Sequence, residues 1–170
     1  GKLEGWEVTL VIASDANELF IDAILEASGL AGVFDAVLTN PVAVSQDGRV
    51  SVRPFFSPEA PHTCASCPPN LCKSAALFGA FPWLRPGFRG EAARVLYVGD
   101  GSNDFCPSTT VLEDGDIVFP RRGFSLEKRL AEVVVPAVCA TVVPWTTWEE
   151  LASALLLGST EAALRGSQGG

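Results

Sequence analysis

Methionine is absent from this chain of 170 residues, histidine and tyrosine occur once each, and 12 basic residues face 20 acidic ones. Each scarcity excludes something. A chain without methionine reads as a processed product or a piece of a longer protein, and the motifs below make a piece the expectation. The net charge of −8 offers no basic face to a phosphate backbone, so nucleic acid is not expected as a partner. No apolar run approaches the ~20 residues that a membrane helix needs. Leu151 to Leu157 is the longest candidate toward the C-terminus and is far shorter, and nothing near Gly1 reads as a signal peptide. No membrane partner is expected either.

What is present has a globular balance, 48% hydrophobic and 19% charged, enough for one domain with one core. Glu7 to Ala13 is an apolar, β-branched run that predicts a buried strand ended by Ser14. Asp15 to Glu18 reads as a capping box, opening a helix whose Leu19, Phe20, Ala23, Ile24 and Ala27 form a core stripe, with Gly29 as its stop. A strand follows at Phe34 to Leu38, and Val42 to Val52 reads as a small β-hairpin around Asp47-Gly48. Ser57 to Pro69 is loop, a helix runs from about Asn70 to Gly79, and Phe81 to Glu91 is a Pro/Gly-rich connection. Further strands are predicted at Arg94 to Val98 and Ile117 to Phe119. A second capping box at Thr147 to Glu150 starts a helix reaching about Leu157. Strands alternating with helices predict an α/β fold, a three-layer, Rossmann-like, mainly parallel sheet occupying residues 1–158, with 159–170 as a polar C-terminal tail.

In such sheets ligands gather at the carboxyl ends of the strands. Ser14 follows the first strand, Asp100 follows the strand at Arg94 to Val98, and Asp104 lies just beyond it. Carboxylates flanked by Gly99 and Gly101 suit a hard cation such as Mg²⁺, but Asp-Gly is also ordinary turn chemistry, and spacing leaves both readings open. Lys73 falls in the first turn of its helix, where a cation opposes the helix dipole by roughly 0.3–1 kcal/mol unless both meet one anion.

The five cysteines are an odd number, and three of them cluster. They suggest thiols in a reducing, cytoplasmic compartment, or a metal site, rather than a disulfide framework. His62, Cys64, Cys67 and Cys72 have donor types that could hold a structural Zn²⁺, with packing as small apolar groups as the alternative. Cys106 is expected to pack, because a reactive thiol wants a nearby base and the one histidine belongs to the other cluster. Arg121 and Arg122 read as a solvated turn, and Trp145 and Trp148 as core or staple residues.

Four runs occur in order: Ile12-Ala-Ser-Asp-Ala-Asn17, His62-Thr-Cys-Ala-Ser-Cys-Pro-Pro-Asn-Leu-Cys-Lys73, Tyr97-Val-Gly-Asp-Gly-Ser-Asn-Asp-Phe-Cys-Pro107 and Phe119-Pro-Arg-Arg-Gly-Phe124. Across residues 7 to 150 the chain thereby resembles the phosphoethanolamine/phosphocholine and pyridoxal-phosphate phosphatase family of the haloacid dehalogenase superfamily. That family has plant relatives acting on thiamine phosphate or pyrophosphate. The resemblance implies that Ser14 hydrogen-bonds the transferring phosphoryl group and that Lys73 neutralises its oxygens. It makes Asp100 a Mg²⁺ ligand and Asp104 the acid that orients the metal and its waters. The implied activity is hydrolysis of a small phosphorylated metabolite through an aspartyl-phosphate.

One departure matters. The family's first motif, Asp-x-Asp-x-Thr or a close variant, supplies nucleophile and general acid/base, and no such motif occurs here. Asp114-Gly-Asp116 precedes a strand instead of following one and is not a substitute. The resemblance therefore implies a fold lacking its first, central strand and its helical cap, completed by a missing N-terminal segment. It also implies that this chain alone is inactive. Two other readings remain: a non-catalytic fragment that binds phosphate or Mg²⁺ or complements a partner chain, and a small zinc-binding interaction module.

Overall fold

The structure, a computed structural model, describes residues 2–3, 6–90, 93–132 and 138–166. The chain divides into two compact units, Gly1–Ala80 and Phe81–Gly170. Both carry the expected α/β pattern of parallel strands and helices.

In the first unit, β1 (Lys2–Leu3) and β2 (Trp6–Glu7) form a short antiparallel ribbon. The predicted strand at Glu7 to Ala13 lies further on, as β3 (Val11–Asn17). Its partner decides the shift. Strand β4 (Ala36–Asn40) pairs in parallel with Val11↔Ala36, Ile12↔Val37 and Ala13↔Leu38, and the register slips before Asn17↔Asn40. Asp35 ties off the start: its carboxylate accepts from Leu10 N (2.7 Å), and its N–H donates to Leu10 O (2.8 Å).

Helix α1 (Glu18–Ala27) is capped by Asn17, not Asp15. Asn17 has extended backbone and its Oδ1 accepts from Phe20 N at 3.1 Å. The expected stop holds, because Gly29 takes φ 68° while Leu30 N reaches back to Leu25 O at 2.8 Å. The expected core stripe does not hold. Leu19, Phe20 and Ile24 are 42%, 62% and 64% exposed, and Ile21 is the buried residue of the helix. A two-stranded sheet has room for only a narrow helix face, and α1 gives it the Ile21 face.

The predicted hairpin forms from β5 (Val42–Val44) and β6 (Val50–Val52), with Gly48 at φ 79° in a loop over residues 45–49. Helix α2 (Lys73–Ala80) starts later than Asn70 and packs against β3 and β4.

In the second unit, β7 (Leu96–Gly99), β8 (Ile117–Pro120) and β9 (Thr141–Val142) form a parallel sheet in the order β7-β8-β9. Helices α3 (Phe105–Thr110), α4 (Ser125–Glu132) and α5 (Trp148–Gly166) accompany it. Val118, Phe119 and Leu126 are fully buried. Trp145 joins them as core, donating its indole N–H to Phe119 O at 3.0 Å, while Trp148 is 66% exposed. The capping box at Thr147 forms, with Glu150 N donating to Thr147 Oγ1 (3.3 Å) and the Glu150 carboxylate accepting from Thr146 N and Thr147 N. The second helix of the pair of boxes runs past Leu157 to Gly166, and residues 167–170 of the expected tail lie outside the described residues. Arg121 is no simple solvated residue: its guanidinium lies 4.6 Å from the Phe124 ring and 5.3 Å from the Trp145 ring. Among the described residues no helix is long and apolar enough to cross a membrane.

Asp116 is 1% exposed and works as a structural post. It pairs with Arg89 and accepts from Val95 N (2.9 Å) and Glu113 N (2.7 Å), while Arg89 also donates to Val111 O (2.6 Å). Replacing Arg89→Leu strands a buried carboxylate and should cost about 3–5 kcal/mol. In urea unfolding of the whole chain the midpoint should fall with the slope unchanged; a midpoint equal to wild type would show that the pair bears no part of the fold.

Candidate active site

Of the residues singled out from the sequence, Asp100 and Asp104 lie at a strand end and Lys73 at a helix start, while Ser14 does not end its strand as expected, because the pairing with β4 carries the strand on to Asn17. In the first unit Ser14 sits within β3, half-buried, where the register with β4 slips. Its Oγ accepts from Ala16 N at 3.2 Å, so the hydroxyl turns the chain locally. The loop around it is stapled by Asn40, 5% exposed at the end of β4. The Asn40 amide donates to Asp15 O (2.7 Å) and Ala16 O (2.8 Å), and its Oδ1 accepts from Phe55 N (3.0 Å). Every polar atom of this buried side chain is thereby used.

Lys73 is the first residue of α2 and only 7% exposed. Lysines are almost never this buried by default, so its charge is positioned by the fold. Ser14 and Lys73 are thus held on elements that pack together, β3 and α2.

In the second unit Asp100 and Asp104 stand where β7 ends, the carboxyl end of a parallel strand. They have different surroundings. Asp104 is 4% exposed; its Oδ2 accepts from Asp100 N (3.1 Å) and Gly101 N (2.9 Å), and its Oδ1 accepts from the Tyr97 hydroxyl (2.7 Å). Asp100 is exposed. A Cβ on Gly99 would lie 2.7 Å from Asp104 Cγ, so the turn closes only because Gly99 has none.

Helix α4 locks this turn from outside. Leu126 N donates to Asp100 O (3.0 Å), and Arg129 donates to Ser102 O (2.7 Å) while stacking 4.1 Å from the Phe105 ring. Burial pushes the Tyr97 phenol well above its ordinary value of 10.0, and the Asp104 charge adds to the shift, so the hydroxyl stays a donor.

These donors fit a hard divalent cation. They are carboxylate oxygens, one exposed and one braced behind it, on a turn whose missing Cβ permits the close approach.

The third group is the thiol cluster. The Sγ atoms of Cys64, Cys67 and Cys72 lie within 4.8 Å of one another. His62 does not join them with its ring: Nε2 is 3.0 Å from Pro68 O, and Nδ1 accepts from Cys64 N at 3.2 Å.

Sequence reasoning passed over Asn40, Tyr97 and Arg129. For Asn40 the signal was a polar residue closing an apolar strand immediately before Pro41. For Tyr97 it was the only phenol of the chain, two residues before Gly99. Arg129 left no signal, because its partner Ser102 is fixed only by the packing of α4.

Comparison with known proteins agrees with the four-run resemblance. Residues 2–158 match the family described as "Putative Phosphatase". The chain is 40% identical over 147 residues to "Probable phosphatase phospho2" of Xenopus tropicalis, covering 86% of this chain and 59% of that one. It is 38% identical over 149 residues to "Pyridoxal phosphate phosphatase PHOSPHO2" of Mus musculus, covering 85% and 58%. It is 37% identical over 145 residues to the human "Phosphoethanolamine/phosphocholine phosphatase", covering 81% and 51%. The chain therefore spans only half to three-fifths of the length of these relatives. No solved structure matches.

Tyr97→Phe removes one of the three bonds to the buried Asp104 carboxylate and should destabilise the chain by about 1–3 kcal/mol near neutral pH. A phenol whose pKa is raised by folding contributes stability that is complete below its unfolded pKa of 10.0 and lost as pH climbs above it. Wild type should therefore weaken steeply above about pH 10, and the Phe variant less so. Urea midpoints measured across that range check both, and parallel curves would rule out the burial argument.

Proposed function

The chain belongs to this phosphatase family of the haloacid dehalogenase superfamily, and from that premise we propose that it is the phosphate-gripping and metal-holding part of a Mg²⁺-dependent phosphomonoesterase. The nucleophilic aspartate comes from a segment outside it. The observation that carries the reading is the turn after β7. A buried Asp104, bonded by Tyr97 and two backbone N–H groups, braces an exposed Asp100 at a parallel strand's carboxyl end.

In this reading Asp100 would hold the Mg²⁺ and Asp104 would orient it, and the bound cation would offset negative charge on the phosphoryl oxygens. Ser14 donates a hydrogen bond to a phosphoryl oxygen. Lys73, held buried at the start of α2, neutralises the same group, which overcomes the repulsion of a chain with net charge −8. The upstream aspartate attacks phosphorus, and a second acid protonates the departing ester oxygen. Water then cleaves the aspartyl-phosphate to free phosphate and the carboxylate. The substrate is a small phosphomonoester of the kind named for the relatives, pyridoxal phosphate or phosphoethanolamine/phosphocholine, met in the cytoplasm.

The strand edges support a contribution from outside. Among the described residues β3 pairs with β4 only and β7 with β8 only, so each keeps one edge open. Open edges are templates for a further strand.

The chain alone, given Mg²⁺ and these esters, should show no turnover above background. A longer form that places Asp-x-Asp after an upstream apolar strand should hydrolyse them, and Asp100→Asn or Lys73→Ala in that form should lower kcat by about 10²–10³. Turnover by the short chain that Asp100→Asn abolishes would refute the need for an outside nucleophile. A longer form indifferent to both substitutions would refute the assigned roles.

A further inference from the structure

We propose that Cys64, Cys67 and Cys72 bind one structural Zn²⁺ through their thiolates, fixing the loop that delivers Lys73. The inference does not rest on the phosphatase reading.

The loop sets the problem. Between β6 and α2, residues 53–72 contain neither helix nor strand. A loop this long inside a compact unit is uncommon unless something orders it. Apolar packing does part of the work, with Leu71 at 1% exposure and His62 edge-on to the Phe56 ring at 5.2 Å. The rest of the loop is rich in Pro, Ser and Cys and has little to bury.

The thiols are where a tetrahedral ion needs them. Zn–S bonds of about 2.3 Å place neighbouring sulfurs about 3.8 Å apart. The Sγ atoms of Cys64, Cys67 and Cys72 already lie within 4.8 Å of one another, so shifts of roughly an ångström would bring them to three of the four corners of a tetrahedral site, leaving the fourth for a further donor. Cys64 and Cys67 have the C-x-x-C spacing of structural zinc sites.

Surrounding groups are those of a metal–thiolate centre. The Ser66 hydroxyl lies 3.5 Å from Cys64 Sγ, within reach of a hydrogen bond that would orient the ligand. His62 braces the loop from Pro68 O to Cys64 N across Cys67. Cys72, 1% exposed, leads directly into α2, so the Lys73 cation and the positive end of that helix adjoin the ligand set. A cluster of thiolates carries net negative charge even with Zn²⁺ bound, and these neighbours oppose it. Such a clamp sits one residue from Lys73, so binding the ion would restrict where the ammonium can go.

The whole chain, purified with its thiols reduced and Zn²⁺ supplied, should carry close to one zinc per molecule by elemental analysis. Co²⁺ in its place should give the intense near-ultraviolet sulfur-to-metal band of thiolate ligation. Cys64→Ser, Cys67→Ser and Cys72→Ser should each lower zinc affinity at least tenfold, while Cys139→Ser should leave it unchanged. If the serine variants fail to fold, wild type still decides the matter: bound Zn²⁺ should raise the urea midpoint and slow alkylation of three thiols, and a chelator should reverse both. Reduced wild-type chain that holds no zinc, or Co²⁺ spectra lacking the sulfur band, overturns the proposal. So does a disulfide among the three cysteines that forms in preference to metal binding.

Discussion

The absence of one side-chain carbon organises the second unit. At Gly99 the Asp104 carboxylate lies so close that a Cβ would sit 2.7 Å from its Cγ. That approach lets one carboxylate oxygen accept from the N–H groups of Asp100 and Gly101, and the other from Tyr97. Those N–H groups would otherwise need water or another acceptor in a tight turn. With them satisfied by Asp104, the backbone carbonyls of Asp100 and Ser102 are left to receive Leu126 N and Arg129 from α4. The exposed Asp100 therefore rides on a turn fixed from both sides. A carboxylate on such a turn has its backbone already in place, as the proposed role of Asp100 toward a cation would need.

The first unit solves the same problem with a neutral group. Asn40 ties β4 to the residues after Ser14 by giving both its amide hydrogens to backbone carbonyls. An aspartate there could not donate, and its charge would repel an anion near Ser14. The contrast is consistent in sign with the proposed roles: a carboxylate braces the turn proposed for a cation, while an amide braces the loop proposed for phosphate. One positive group of that unit, Lys73, is withdrawn from water at the start of α2.

Two features of the described residues accord with the proposal that a further segment completes the fold. Strands β3 and β7 each have one partner among the described residues. Helix α1 leaves Leu19, Phe20 and Ile24 largely exposed. The chain spans little more than half of the length of its relatives.

The amino-acid sequence by itself determined the local and ordered features. Gly29 and Gly48 ended a helix and turned a hairpin, because only glycine takes positive φ without strain. The Thr147 box opened α5, because cap and partner lie within one helical turn. The parallel strands and the four ordered runs announced the fold and the family. Tertiary structure decided what depends on partners distant along the chain. It moved the first strand to Val11, because register with Ala36 fixes where pairing begins. It chose Asn17 over Asp15 as cap, and Ile21 over the five-residue stripe as the core face, since an apolar periodicity cannot say how much sheet stands opposite. It alone gave Asn40, Tyr97 and Arg129 their roles, because hydrogen bonds are made between atoms that folding brings near, and no local pattern encodes which ones.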